Sequence, residues 1–307
     1  MSVGGVSVDG GLRVGIWVSE LEPLMKPGSM GRSPARIRAS LAVVAILTAA
    51  PALGADQPAA ASKPPAPTES QREAAAILQG MVSYISGLKA FTVTSRHAYQ
   101  ALQSTGQMIE FGETRRVSLA RPDRLRVEEV SSDGRRDLAL FDGKSITMFN
   151  ADDGVYAQAP QPGSVDDALV YFVRDLRMRM PLAQLLSTRV RTDLPELVKE
   201  VDYVESTDLL GVATHHIAGR TDSAEFQFWI AEGDRPLPLR VVIRYIAEKG
   251  QPQFWAEFSN WNTSPQLASS TFQLALPKDA RKIAFAVQVP RIDAAPQPAA
   301  ATGEVKP

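Results

Sequence analysis

The sequence predicts an α+β, mainly β fold: one large antiparallel sheet accompanied by a few helices. Three observations carry this. Apolar spacing changes from helical to alternating near residue 90. Three hairpin cues follow in quick succession, Ser132-Asp133-Gly134, Asp142-Gly143-Lys144 and Asp152-Asp153-Gly154, each between apolar runs, and a meander of that kind belongs to an antiparallel sheet. Long alternating runs then return between residues 225 and 261.

The segments before the fold come first. Residues 1–29 are glycine-rich without periodicity and read as an upstream extension translated through a start-codon choice. Residues 30–55 read as a cleavable secretory signal, with Arg32, Arg36 and Arg38, then apolar Leu41 to Ala50, then small residues from Pro51 to Ala55. The apolar run is about ten residues, half of the roughly twenty that a membrane-spanning helix needs, so the expectation is a mature chain with no stable membrane anchor. An uncut anchor is the competing reading. Residues 56–68 are rich in Ala and Pro, the composition of a linker.

The folded domain is expected over residues 69–290. Ser70 and Glu73 form a capping-box pattern, and Ile77, Leu78, Met81, Ile85 and Leu88 recur at helical spacing, giving an amphipathic helix over 69–88. Strands follow from Phe91, from Met108 to Leu119, Leu125 to Val130, Asp137 to Phe141 and Ser145 to Asn150. From Ser164 the helical period returns through Ala168, Leu169, Phe172 and Leu176 to Leu186, broken at Pro181, which predicts two short helices. Strands resume over Val201 to Leu210, Val212 to Ala218, Glu225 to Ile230, Leu239 to Ile246 and Phe254 to Trp261, with Phe272 to Pro277 as a last strand. The Ala- and Pro-rich tail, residues 291–307, is expected to be disordered.

Bulk composition removes several functions. With a net charge of -1 the chain has no basic excess to neutralise phosphates, so no nucleic acid is expected as a partner. It contains no cysteine, which excludes disulfides, thiolate metal sites, cysteine nucleophiles and a lipid-bearing cysteine. There is no Gly-x-Ser-x-Gly elbow, phosphate loop or Gly-x-Gly-x-x-Gly fingerprint, so the chain is not expected to be an enzyme, and no cofactor or metal is expected. His97 stands alone in the first strand; His215 and His216 are adjacent and in a strand point to opposite faces. Asp166 and Asp167 precede a helix, where carboxylates cap free amides. Glu128, Glu129 and Glu257 are read as partners of strand arginines on a solvated face.

The order of motifs has a family likeness. Arg121-Pro122-Asp123-Arg124-Leu125-Arg126-Val127-Glu128 precedes Phe141-Asp142-Gly143-Lys144-Ser145-Ile146-Thr147-Met148-Phe149, and Phe272 to Pro277 closes the domain. This resembles the LolA-like proteins, the outer-membrane lipoprotein carrier and sorting superfamily. Within it the match is to a group of predicted periplasmic proteins without an assigned function, over residues 69 to 287. The resemblance implies an unclosed β-barrel, a strongly curved antiparallel sheet with helices packed on its concave face around an apolar cavity, and a periplasmic location. A lipid-anchored receptor of the superfamily carries a cysteine that this chain lacks, and the partner-binding elements of the lipoprotein chaperone have no counterpart here.

The expectation that follows is a soluble periplasmic carrier that holds an apolar ligand, a lipid or the acyl chains of a lipoprotein, in the half-barrel. The residues expected to line the cavity are Phe91, Val93, Leu125, Val127, Phe141, Phe226, Phe228, Trp255 and Leu274, with Arg124 and Arg126 at the rim for a headgroup. A one-residue error of register would reverse each face assignment. The alternatives are an envelope stress sensor that uses the same fold to bind another envelope protein, and a hydrolase whose polar residues meet only in three dimensions.

Overall fold

The computed structural model describes residues 66–178 and 180–288. The expected extension, signal peptide, most of the linker and the tail lie outside them. Helix α1 (Glu69–Gly87) is capped by Thr68, whose hydroxyl accepts from Gln71 N at 3.2 Å while the Gln71 side chain accepts from Thr68 N at 3.0 Å. The box thus sits two residues ahead of the Ser70–Glu73 pair read from the sequence. Ser70 has a tertiary role instead: its hydroxyl accepts from Tyr203 N at 3.0 Å, occupying a main-chain donor of the strand at the sheet's far edge. Ala74, Leu78, Met81, Val82 and Ile85 share one face of α1 and are buried.

The sheet has twelve strands in two meanders. The first is β1 (Ala90–Leu102), β2 (Met108–Ala120), β3 (Arg124–Ser131), β4 (Arg136–Phe141), β5 (Ser145–Asn150) and β6 (Val155–Pro160). The second is β7 (Glu200–Leu209), β8 (Val212–Arg220), β9 (Ala224–Ala231), β10 (Pro238–Tyr245) and β11 (Gln253–Asn262). They join where β1 pairs antiparallel with β11, and a short β12 (Arg281–Ile283) runs parallel to β6. The order is β12-β6-β5-β4-β3-β2-β1-β11-β10-β9-β8-β7, so the two outer strands do not meet and the curved sheet is unclosed, as expected. Gly134 and Gly143 hold φ of 89° and 84°, the left-handed geometry that their turns demand.

Between the meanders the chain crosses the concave face. It forms α2 (Val165–Val170), a π turn (Tyr171–Asp175), a 3-10 turn (Ala183–Leu186) and α3 (Val190–Leu197). α2 opens on a capping box of Ser164 and Asp167, the capping role read for this acidic pair. Asp166 serves differently, accepting from Thr188 N at 2.9 Å. α3 is an addition to the expected pair of helices, because Pro195 argues against it in the sequence. Proline leaves the Arg191 carbonyl without its helical donor, and the Gln79 side chain of α1 supplies one at 3.3 Å.

The expected strand over Phe272 to Pro277 does not form. Ser269–Phe272 is a 3-10 turn followed by irregular chain, held where Arg126 Nη1 lies 3.4 Å from the carbonyl oxygens of Thr271 and Gln273. The edge is completed by β12 instead.

Candidate ligand cavity

Strand register builds the cavity wall in rows. Phe91, Leu119, Leu125, Phe141, Ile146 and Ala159 oppose one another across six strands, and all are buried. Two residues further along each strand, on the same face, Val93, Val117, Val127, Ala139, Met148 and Ala157 make a second apolar row. In the second meander Ala256, which lies opposite His97, begins a further apolar row with Val241, Phe228 and Ile217. Residues Met180–Leu186, a strap, lie over this wall, and Leu182 holds a left-handed φ of 63° without being glycine.

Between strap and wall lies a narrow space of about 40 Å³ that opens to solvent, lined mainly by Phe91, Val93, Val117, Leu185, Phe254 and Trp261. A second and smaller space, of about 20 Å³, lies between β3–β5 and α2, lined by Leu125, Phe141, Ile146, Leu169 and Phe172. Met180 borders both, so displacement of the strap would join them into one apolar channel.

At the third row the character changes. Ser95, Arg115, Glu129, Asp137 and Asn150 face one another on successive strands, with His97 and Glu113 one step beyond. His97 is 2 % exposed, and its Nε2 donates to Glu113 Oε2 at 2.9 Å. Arg115 donates from Nε at 2.9 Å and Nη2 at 2.5 Å to Glu129 Oε2, and Nη2 stands 3.8 Å from Glu113. Burial pushes the Glu113 carboxyl up, but the hydrogen bond from His97 and the charges of His97, Arg115 and Arg135 outweigh it and hold the group below its ordinary 4.5. Burial lifts Asp137 above its ordinary 3.8, despite the hydrogen bond from Asn150 and the charge of Arg135. Glu129 therefore does not sit on a solvated face, as the sequence suggested, but on the concave wall. Ser95, His97 and Arg115 reach the first space as its polar end.

His97, Glu113 and Glu129 place ligand atoms within 4.8 Å of one another, the one such group among the described residues. The Arg115 guanidinium already serves both carboxylates there, so the cationic position is filled by the chain itself. His215 and His216 do not join it. His216 stacks on Trp229 with ring centroids 4.1 Å apart, and His215 lies near Tyr203 and Glu232.

Most residues read as cavity lining lie on the concave face. Phe91 and Val93 line the first space and Leu125 and Phe141 the second, while Val127, Phe226 and Phe228 belong to the core around them. Two lie elsewhere. Trp255 alternates with buried Phe254 and Ala256 and so falls on the opposite face, where its Nε1 donates to Glu110 at 3.2 Å and Arg96 and Arg240 lie over its ring at 5.6 and 5.7 Å. Leu274 lies in the irregular segment outside the core cluster. Arg124 and Arg126 share the convex face: Arg126 pairs with Glu128 at 2.8 Å, and Arg124 with Asp123 at 3.1 Å and the Asp142 carbonyl. The lining residues missed by sequence reading include the apolar Val117, Phe254 and Trp261, the polar Ser95, His97 and Arg115, and the strap's Leu182 and Leu185. The period-two alternation that placed Val93 inward also places Ser95 and His97 there.

A family model described as predicted periplasmic protein (DUF2092) matches residues 74–286. No curated protein matches the chain. Among solved structures, the chain is similar to the lipoprotein LppX of Mycobacterium tuberculosis, at 16% identity over 65% of this chain and 100% of that one, with a TM-score of 0.42. It is similar to LprF from Mycobacterium bovis, at 16% identity over 68% and 98%, with a TM-score of 0.41. A LolA superfamily protein from Nitrosomonas europaea shares 10% identity over 66% and 97%, with a TM-score of 0.32.

Proposed function

The chain belongs to the DUF2092 family of predicted periplasmic proteins, and on that premise we propose that it is a periplasmic binding protein that carries the acyl chain of a lipid or lipoprotein in its half-barrel. The observation that supports this most is the pair of apolar spaces on one wall, both bordered by Met180 of the strap. Each methylene buried there contributes about 0.8 kcal/mol. The strap fills the channel closely, so the ligand enters as the strap moves outward.

The test is a fluorescence-displacement titration with fatty-acid methyl esters of increasing chain length. Affinity should climb with each methylene until the channel is full, and Leu182→Asp, which puts a charge on a half-buried strap position, should abolish it while circular dichroism stays native. Affinity that ignores chain length would overturn the reading. Absence of binding together with capture of an envelope protein would favour the sensor alternative.

A second reading has one observation in its favour. The hydrogen-bonded His97 and Glu113 lie at the cavity end with Ser95 on the same strand face, as a histidine base oriented by a carboxylate requires. It predicts slow release of acid from a bound ester, lost in His97→Gln.

A further inference from the structure

The carrier reading leaves open which end of an amphiphile the cavity would recognise. Three of the residues that line the first space are polar, and they cluster at one end: Ser95, His97 and Arg115, exposed by 7 %, 2 % and 9 %. None of the three leaves a fully buried atom without a partner, so what they bring to the space is hydrogen-bonding capacity beside an apolar wall. His97 and Arg115 are satisfied in part by carboxylates, but the Ser95 hydroxyl has no hydrogen-bond partner among the described residues, and Arg115 commits only its Nε and Nη2 groups to Glu129.

Charge then decides what fits. Glu113 and Glu129 do not line the space; they hold His97 and Arg115 and cancel the positive charge. An incoming carboxylate or phosphate would have to displace Glu129 from Arg115 and would add a further negative charge beside two carboxylates. A cationic head would meet Arg115 itself. A metal ion would meet the same guanidinium between its carboxylate ligands. An uncharged oxygen acceptor meets none of these penalties, and it finds donors in the Ser95 hydroxyl and the remaining Arg115 N–H groups.

Resting on the carrier reading, we propose that Ser95, His97 and Arg115 form a headgroup subsite for an uncharged, hydrogen-bond-accepting head, an ester or hydroxyl oxygen, of a ligand whose acyl tail lies along the two apolar rows. The site thereby selects neutral esters over free acids and fixes the tail's direction: head at the third row, tail toward Phe91 and the strap.

The experiment compares four probes of equal chain length on the full mature chain by displacement titration: monopalmitoylglycerol, palmitate, hexadecylamine and hexadecane. Monopalmitoylglycerol should bind about tenfold more tightly than each of the others, the factor that a satisfied buried hydrogen bond supplies. Ser95→Ala, a small change at a position with no partner to orphan, should remove most of that advantage and leave hexadecane unchanged. Glu129→Gln removes the negative charge that neutralises Arg115, and palmitate should then gain about tenfold. A purely structural role for Arg115 and Glu129 would give no such gain. Equal binding of all four probes, or palmitate tightest in the unsubstituted chain, overturns the subsite and leaves the carrier reading standing. Stoichiometric binding of zinc alone also overturns it. Failure of all four probes, hexadecane included, overturns the carrier reading and the subsite together.

Discussion

His97 Nε2 and Glu113 Oε2 stand 2.9 Å apart across β1 and β2, and Arg115 Nη2 stands 3.8 Å from the same carboxylate oxygen. The pair lies where the apolar rows of the first meander end, and opposite it across β11 the wall is apolar again from Ala256. It therefore couples the stability of the sheet to the chemistry of the cavity's polar end.

That coupling sets a pH dependence. Glu113 titrates below its ordinary 4.5 in the folded chain, so its stabilising contribution is fully present above that value and is lost as pH falls through the folded one. Urea unfolding midpoints should drop below about pH 4.5. Glu113→Gln should lower the midpoint at neutral pH and flatten the acid slope; an unchanged slope would contradict the assignment.

The two faces of β11 should respond differently to substitution. Trp255→Ala loses two arginine contacts and the Glu110 bond on the convex side, so it should cost about 1 to 2 kcal/mol of stability and leave ligand affinity unchanged. Trp261 lines the cavity and lies 5.5 Å from the Phe91 ring, so Trp261→Ala should weaken ligand binding. Denaturant titration and probe displacement on both variants read the contrast.

Leu119 is fully buried in the first apolar row between Phe91 and Leu125. Leu119→Ala should cost about 2 to 5 kcal/mol, the range for a leucine whose neighbours cannot collapse onto the gap. Equilibrium unfolding measures it directly.

Thr68 caps α1, the longest helix of the concave layer. Thr68→Ala should cost about 1 kcal/mol. Ser70→Ala should act elsewhere, raising amide exchange at Tyr203 on the edge strand β7, because its hydroxyl holds that main-chain group.

Much of this fold is legible in the sequence because its signals are local. Asp-Gly turns mark the first meander, period-two alternation marks both, and the helical spacing of Leu78, Met81 and Ile85 defines α1. The misreadings arose where tertiary partners decide. Pro195 sits inside α3 because Gln79 serves the orphaned carbonyl, a contact 112 residues distant in sequence. Trp255 falls on the outer face by its alternation with Phe254 and Ala256, and an aromatic ring flanked by arginines is stable there. The polar end of the cavity was illegible for a related reason. His97, Glu113, Arg115 and Glu129 become one cluster only through the register of three strands, and register follows from the whole sheet.

The central claim, an apolar ligand held on the concave wall, is tested most directly by native mass spectrometry of the chain purified gently from a periplasmic extract, followed by lipid analysis of the organic extract. A stoichiometric acyl-bearing companion is expected, lost in Leu182→Asp and retained in Trp255→Ala. A chain that emerges empty and takes up no added lipid would contradict it.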